Sequence, residues 1–477
     1  MKRSFALVLL PLALACFLRR PGLYLPHDRG DAPIWAGVAR NLSERGWEGY
    51  TVRGLEARSV SRGGGAAVES FACVAPPGAL VQTYSDMGEK YWDAPLANQP
   101  PGFLLVLLAS HALLGAEADG FPLVARDPVA FGMAKIAFLS EQRPFYESRL
   151  AQIERLPGAE QEGERKELET QMLRLQGTWE RDLARRLARE RPSWALRTQL
   201  WAMLPVLLSD LLTVVLVFAF AWRLGGKWAA LLAGLAWATD PLALYCSERL
   251  LSNASLSLAT AAALGLEEVT SGRKASWALS LLVGVACGLA ISIKVSAVFL
   301  LPAIALGRLV KKEGRVELAV LLGAGLLLAA PWWLIQWRFL GHPFGFAWRN
   351  QADPSQSPWQ QLVAGRGLLY YIETLLHSPL VLAGLVAAGL AWRKHVAAVA
   401  FAVFVIGAAE IFEHKEARHL LLAFPPLVVA ASVGLVRLVE RAKQPLAAPV
   451  AILLVSSLLV WQALHGIEAG LDTTAAP

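Results

Sequence analysis

The chain has 477 residues, 55% of them hydrophobic and 17% charged, with a mean hydropathy of +0.43. Such a composition excludes an ordinary soluble globular protein and defines an integral membrane protein. The formal charge of +7 and pI near 9.3 would suggest nucleic acid in a soluble chain. Here most clustered Lys and Arg fall in short loops between apolar runs, where they act as orientation signals, and no nucleic-acid partner is expected. Of the four cysteines, Cys16, Cys246 and Cys287 lie inside apolar runs and Cys73 stands alone in a loop, a spacing that excludes a disulfide framework or zinc cluster.

At the N-terminus, Lys2 and Arg3 precede an apolar run that ends at Leu18. A cleaved signal peptide is one reading, with Ala13-Leu-Ala-Cys16 as a weak lipoprotein-like site. The many later spans favour a retained first helix over 1–18. The segment 19–199 then lies outside. Within it, 101–115 is apolar but opens with Pro-Pro-Gly and is short against the ~20 residues a span needs. It is expected as a re-entrant or interfacial helix; if it crosses instead, a partner such as 129–139 must return the chain. The stretch 141–191 is rich in Glu and Arg, and Leu168, Met172, Leu175, Trp179 and Leu183 recur at helical spacing. This predicts a polar helical hairpin with one apolar face inside an insertion at about 116–192, serving as a solvated lid or as a docking surface.

From residue 200 onward the basic loops set the topology. Arg223 to Lys227, Arg273-Lys274, Arg308 to Arg315, Arg393-Lys394-His395 and Arg437 to Lys443 are all short and basic, and the positive-inside rule puts them in the cytoplasm. Spans are predicted near 200–222, 228–246, 252–267, 277–291, 295–308, 316–337, 378–392, 396–412 and 419–436. With the first helix and a last apolar run this gives about eleven spans, the N-terminus inside, a bundle over 200–465 and a second outside loop at 338–377. The fold class is an all-α polytopic bundle with a large first exoplasmic loop.

This topology collects ionisable groups on the outer face: His27, Asp28 and Asp31; Arg197; Glu248, Arg249 and Asn253; Lys294; then Glu410, Glu413, His414, Lys415, Glu416, Arg418 and His419. Ionisable residues near hydrocarbon are costly unless they serve a site, and an equivalent constellation is missing on the cytoplasmic side. A carboxylate base beside several cations suits attack on a phosphate-bearing substrate presented at the outer membrane surface.

Several short motifs carry these groups in order. They are Asp31-Ala-Pro-Ile-Trp-Ala-Gly-Val-Ala-Arg-Asn-Leu42; Asn98-Gln-Pro-Pro-Gly102 ahead of an apolar run; Trp194-Ala-Leu-Arg197; Ser247-Glu-Arg-Leu-Leu-Ser-Asn253-Ala; Gly288-Leu-Ala-Ile-Ser-Ile-Lys294, with Pro302 beyond; and Lys415-Glu-Ala-Arg418-His419. Taken singly they have structural readings. Asp31 is an N-terminal helix cap, Pro-Pro a helix start and Arg197 an interfacial anchor. Lys294 is a snorkelling lysine, Glu248 an ion-pair partner of Arg249, and His419 an interfacial filler.

Taken together, from the first helix to about residue 435, they resemble the GT-C glycosyltransferases, in particular the bacterial branch with the aminoarabinose transferases of lipid A and the protein mannosyltransferases. The resemblance implies a GT-C bundle and transfer of a sugar from a polyprenyl-phosphate donor to a lipid, glycan or protein acceptor. The reaction would take place on the outer face of a bacterial inner membrane, with inversion at the anomeric carbon. It makes Asp31 the general base, with Asp28 one turn earlier able to compensate for Ala32 where the family has Glu. Lys294 and Arg418 become ligands of the lipid phosphate, with Lys415, Arg197 and Gln99 around the donor; Gln99 stands where the family often has a cation. Glu248, Arg249, Asn253 and His419 form the acceptor or second polar site. Asn253 replaces a family Asp, so a divalent metal is admitted without being required. No glycine loop for a nucleotide is present. The rival readings are a flippase of lipid-linked saccharide, which would be expected to show internal repeats and mid-span charges that the sequence does not clearly offer, and a catalytically silent GT-C relative.

Overall fold

The structure is a computed structural model. It describes residues 6–23, 56–62, 65–72, 100–114, 128–158, 192–270, 276–312, 314–340, 378–390, 395–411, 417–442 and 447–471, with isolated residues and short pieces within 35–46, 160–179 and 371–376.

The apolar runs form helices because each satisfies its own backbone hydrogen bonds, which hydrocarbon requires. In chain order they are α1 (Leu9–Arg19), α2 (Gly102–Leu114), α3 (Pro128–Ile153), α4 (Pro192–Thr239), α5 (Pro241–Ser247), α6 (Asn253–Thr270), α7 (Trp277–Ile293), α8 (Leu300–Val310), α9 (Arg315–Leu340), α10 (Pro379–Leu390), α11 (Val396–Ile411), α12 (Phe424–Arg441) and α13 (Ala447–Leu471). Among the described residues three helices are long and apolar enough to cross a membrane, Leu200–Thr239, Arg315–Ile335 and Arg418–Arg441, while the others have shorter apolar stretches. The expected count of about eleven spans is therefore not reached by length and composition. One reason is that short breaks divide spans: Lys294 in extended backbone separates α7 from the 3-10 turn Val295–Phe299. The all-helical expectation also has an exception, an antiparallel hairpin of β1 (Glu56–Arg62) and β2 (Gly65–Ala72) that pairs Glu56 with Ala72 and Arg62 with Gly65.

α4 is two helices joined at Gly226, whose φ of 76° is the left-handed conformation that glycine adopts without steric cost. A second break follows at Asp240-Pro241. Proline biases the preceding residue to extended backbone, and Asp240 then caps α5, its Oδ1 accepting from the amides of Leu242 at 3.0 Å and Ala243 at 2.9 Å. The bundle core forms where α7 packs on α9, α4 and α10 on α12, α8 on α11, and α1 and α6 on α4. Leu327, Leu334, Val386 and Leu390 point outward and are exposed, as a lipid-facing belt requires.

The charge topology has a direct counterpart at one end of this bundle. Arg308 donates to Glu267 Oε2 through Nε at 3.0 Å and Nη2 at 2.8 Å, and to the Ser280 hydroxyl at 2.6 Å. His395 lies 3.5 Å from Glu268, and Arg437 donates to the Leu224 carbonyl. The helix ends beside the loops read as cytoplasmic thus meet at one end. At the same time the sequence reading missed charges within the spans. Asp210 in α4 is buried; it pairs with the buried Arg19 at the end of α1 and accepts from Trp237 Nε1 at 3.0 Å. Arg19 also donates to the Ala238 carbonyl at 2.8 Å, which ties the first helix into the bundle.

α2 has 13 residues, about 20 Å at 1.5 Å per residue, short of a ~30 Å hydrocarbon core. Phe103, Leu104 and Leu107 are buried and Leu113 is exposed, a helix that lies on the bundle by one flank. In the charged stretch, Leu168 is buried and the Phe138 ring of α3 stacks on Trp179 at 4.5 Å, so two helical arms touch through apolar side chains. The outer loop expected at 338–377 lies almost wholly outside the described residues.

Candidate functional site

At the end opposite the Glu267–Arg308 pair, four chain segments come within touching distance. The 3-10 turn Arg20–Leu23 continues α1, and Gly22 sits so close to the 247–253 turn that an added Cβ would be 2.7 Å from the Glu248 Cα. A Cβ on Gly102, the first residue of α2, would be 2.4 Å from the Ser292 carbonyl oxygen. The Pro-Pro-Gly segment therefore seats against the last turn of α7, two residues before Lys294. No larger residue fits either place without displacing backbone.

Asn253 organises what lies between. It opens α6, is 2% exposed, and its Nδ2 donates to the Arg418 carbonyl at 2.6 Å while its Oδ1 accepts from Lys294 Nζ at 3.5 Å. These two partners fix the amide orientation, since reversing it would set donor against donor and acceptor against acceptor. They also give a reason for Asn where the resembled family has Asp: a carboxylate has no hydrogen to give the Arg418 carbonyl. The Ser257 hydroxyl donates to the Asn253 carbonyl at 2.9 Å and holds the start of the helix.

Lys294 reaches this amide with its side chain and Arg418 with its carbonyl, and Arg249 is within electrostatic reach of Arg418. Arg249 lies over the Tyr245 ring at 3.7 Å, and its buried Nη2 has no hydrogen-bond partner among the described residues. Burial holds its guanidinium below the ordinary value, and the neighbouring Arg418 adds to the effect, partly offset by Tyr245 and Glu248. Arg418, Lys294, Arg249 and Asp210 all lie within electrostatic reach of the buried Cys246 thiol. Like charges so close repel, and an anion between them removes the repulsion.

Trp35, Val38, Ala39 and Leu42 present one helical face to this region. They share a buried cluster with Phe103, Leu104, Leu107, Trp201, Leu250 and Ala254, and Trp35 meets Phe103 edge-on at 5.0 Å. Four residues of the motif that begins at Asp31 thus share a cluster with Leu250 and Ala254, which flank Arg249 and Asn253.

Asn253, Lys294, Arg249 and Arg418 are accordingly brought together, with Glu248 on the same turn and His419 beside Arg418, both half-buried. Arg197 lies in α4, and its side chain is outside the described set. Asp28, Asp31, Gln99 and Lys415 lie outside the described residues. Sequence reasoning missed Arg19, Asp210 and Asp240. An aspartate inside an apolar run needs a partner, and Thr-Asp-Pro is a helix-start signal; both cues were present. Among the described residues no three His, Cys, Asp or Glu side chains converge.

The fold is that of the GT-C membrane glycosyltransferases. Residues 195–335 match the family model described as dolichyl-phosphate-mannose-protein mannosyltransferase. Among solved structures, the chain is similar to ArnT from Cupriavidus metallidurans bound to undecaprenyl phosphate, at 17% identity and a TM-score of 0.53, covering 98% of this chain and 76% of that one. The same protein in the apo state gives 16% identity and 0.54 over the same shares. An archaeal oligosaccharyltransferase, AglB from Archaeoglobus fulgidus in complex with an inhibitory peptide and a dolichol-phosphate, matches at 9% identity and 0.51 over 98% of this chain and 56% of its own. The chain thus spans little more than half the length of the archaeal enzyme. No curated protein matches the sequence.

Proposed function

We propose that this chain is a membrane glycosyltransferase that moves a sugar from a polyprenyl-phosphate donor to a lipid, glycan or protein acceptor at the outer face of a bacterial inner membrane. The observation that carries the reading is that Asn253 joins Lys294 to the Arg418 backbone, with Arg249 within electrostatic reach of Arg418, at the end of the bundle away from the basic loops. Support comes from the family-model match over 195–335 and from the likeness to ArnT, whose structure was obtained with undecaprenyl phosphate.

In this mechanism Asp31 takes the proton of an acceptor hydroxyl, with Asp28 beside it. The oxygen attacks the anomeric carbon from the face opposite the donor phosphate, the carbon–oxygen bond to that phosphate breaks, and configuration inverts. The bonding electrons leave with the polyprenyl phosphate, whose growing negative charge is met by Lys294 and Arg418, with Arg249 behind them. Arg418 is fitted to phosphate by its planar fork. Asn253 holds the cations in place before reaction, so little reorganisation is needed as charge develops. Lys415, Arg197 and Gln99 complete the donor side, and Glu248 and His419 the acceptor side.

The test is sugar transfer from radiolabelled polyprenyl-phosphate monosaccharides by purified protein, with a membrane-lipid extract as acceptor. Wild type should transfer label; Asp31→Asn should bind donor and transfer none. No transfer from any donor, with lipid-saccharide flipping in vesicles instead, would replace the transferase with a transporter.

A further inference from the structure

Arg19 is the last residue of α1, and its side chain is buried. Its Nε faces the Asp210 carboxylate, Nη1 donates to the Ala238 carbonyl at 2.8 Å and Nη2 to the Trp237 carbonyl at 3.3 Å. Those two carbonyls belong to the last turn of α4, just before the Asp240-Pro241 break. Pro241 has no amide hydrogen to return to Trp237, and the Leu242 amide turns to Asp240 Oδ1. Arg19 therefore supplies donors where the main-chain donors four residues on run out. Asp210 holds it there, itself accepting from Trp237 Nε1 at 3.0 Å. Neutralising Asp210 would engage only one of the three nitrogens.

Two segments leave this junction. One is the turn Arg20–Leu23, whose Leu23 packs on the buried cluster that also holds Trp35, Val38, Ala39 and Leu42. Asp28 and Asp31 fall in the sequence between these two anchor points. The other is α5, about 10 Å long at 1.5 Å per residue, which ends at the turn of Glu248, Arg249 and Asn253 and touches the 417–423 turn that carries Arg418. The two segments meet again at Gly22, which abuts the Glu248 backbone with no room for a Cβ. We propose that Arg19, held by Asp210, is a positioning residue for sugar transfer. It fixes the end of α1 to the start of α5 and so sets the base segment against the turn that carries the cations. It touches no reacting atom, and the inference rests on the transferase reading. Misplacement of reacting groups by about 1 Å is enough to cost a large part of turnover.

The test compares the full chain with three variants: Arg19→Met combined with Asp210→Asn, Arg19→Lys, and Gly22→Ala. Each is measured for transfer from radiolabelled polyprenyl-phosphate monosaccharides, for equilibrium binding of undecaprenyl phosphate and for thermal unfolding. Removing both charges of the pair strands neither partner, so the double variant should keep the wild-type unfolding midpoint. Its turnover should fall about 10–10²-fold, with donor affinity unchanged. Arg19→Lys, which keeps the charge and loses the fork, should recover part of that turnover. Gly22→Ala, which forces the turn away from Glu248 with the pair intact, should lower turnover with donor affinity unchanged. Wild-type turnover in the double variant or in Gly22→Ala would overturn the positioning role and leave the transferase standing. So would a fall that merely follows the unfolding midpoint or the donor affinity. Absence of transfer by wild type would overturn the transferase reading and this inference with it, so the wild-type measurement tells the two failures apart.

Discussion

The two ends of the bundle use charge in opposite ways. At one, Arg308 meets Glu267 in a pair with both side chains 3% exposed, and a serine hydroxyl takes a third bond. At the other, Asn253 accepts from Lys294 and donates to the Arg418 carbonyl, with Arg249 on the same turn. A buried ion pair is complete in itself and holds helices in register. At the outer end Glu248 partly balances Arg249, and Asn253 bridges Lys294 and the Arg418 carbonyl.

Six substitutions sharpen that contrast. Asp31→Asn should have the largest effect on transfer, about 10²–10⁴-fold, as loss of a general base does, with donor binding retained in a filter or fluorescence assay. Lys294→Met or Arg418→Met should lower turnover by about 10²–10³-fold, the cost of one electrostatic donor to a developing anion; an activity like wild type in both would break the account of the outer end. Arg308→Met should instead act on stability, costing about 3–5 kcal/mol by stranding Glu267, seen as a lower midpoint of thermal unfolding. Restoring balance with Arg308→Met and Glu267→Gln together should recover most of it. Asn253→Asp should have the smallest effect, about 1–3 kcal/mol from the lost donor to the Arg418 carbonyl, and should weaken donor binding as the new carboxylate repels phosphate.

Much of the helical layout was legible, because apolar runs bounded by basic loops obey two strong rules, backbone satisfaction in hydrocarbon and cytoplasmic positive charge. Lys294, Arg249, Asn253 and Arg418 were also legible as residues, since each stands where an apolar run begins or ends. Their partnership was not: that Asn253 gives its amide hydrogen to a carbonyl 165 residues away depends on how α6 meets the 417–423 turn. Arg19 and Asp210 escaped for the same reason. Each looks like a lone charge along the chain, and only packing of α1 on α4 makes them a pair. The β1–β2 hairpin had no clear alternation of apolar and polar residues to announce it.

The measurement that tests the central claim most directly is equilibrium binding of undecaprenyl phosphate to purified wild-type protein, Lys294→Met and Arg308→Met. The account predicts at least about tenfold weaker binding for Lys294→Met and unchanged binding for folded Arg308→Met. Equal affinity for all three would contradict it and remove the phosphate from the outer cation cluster.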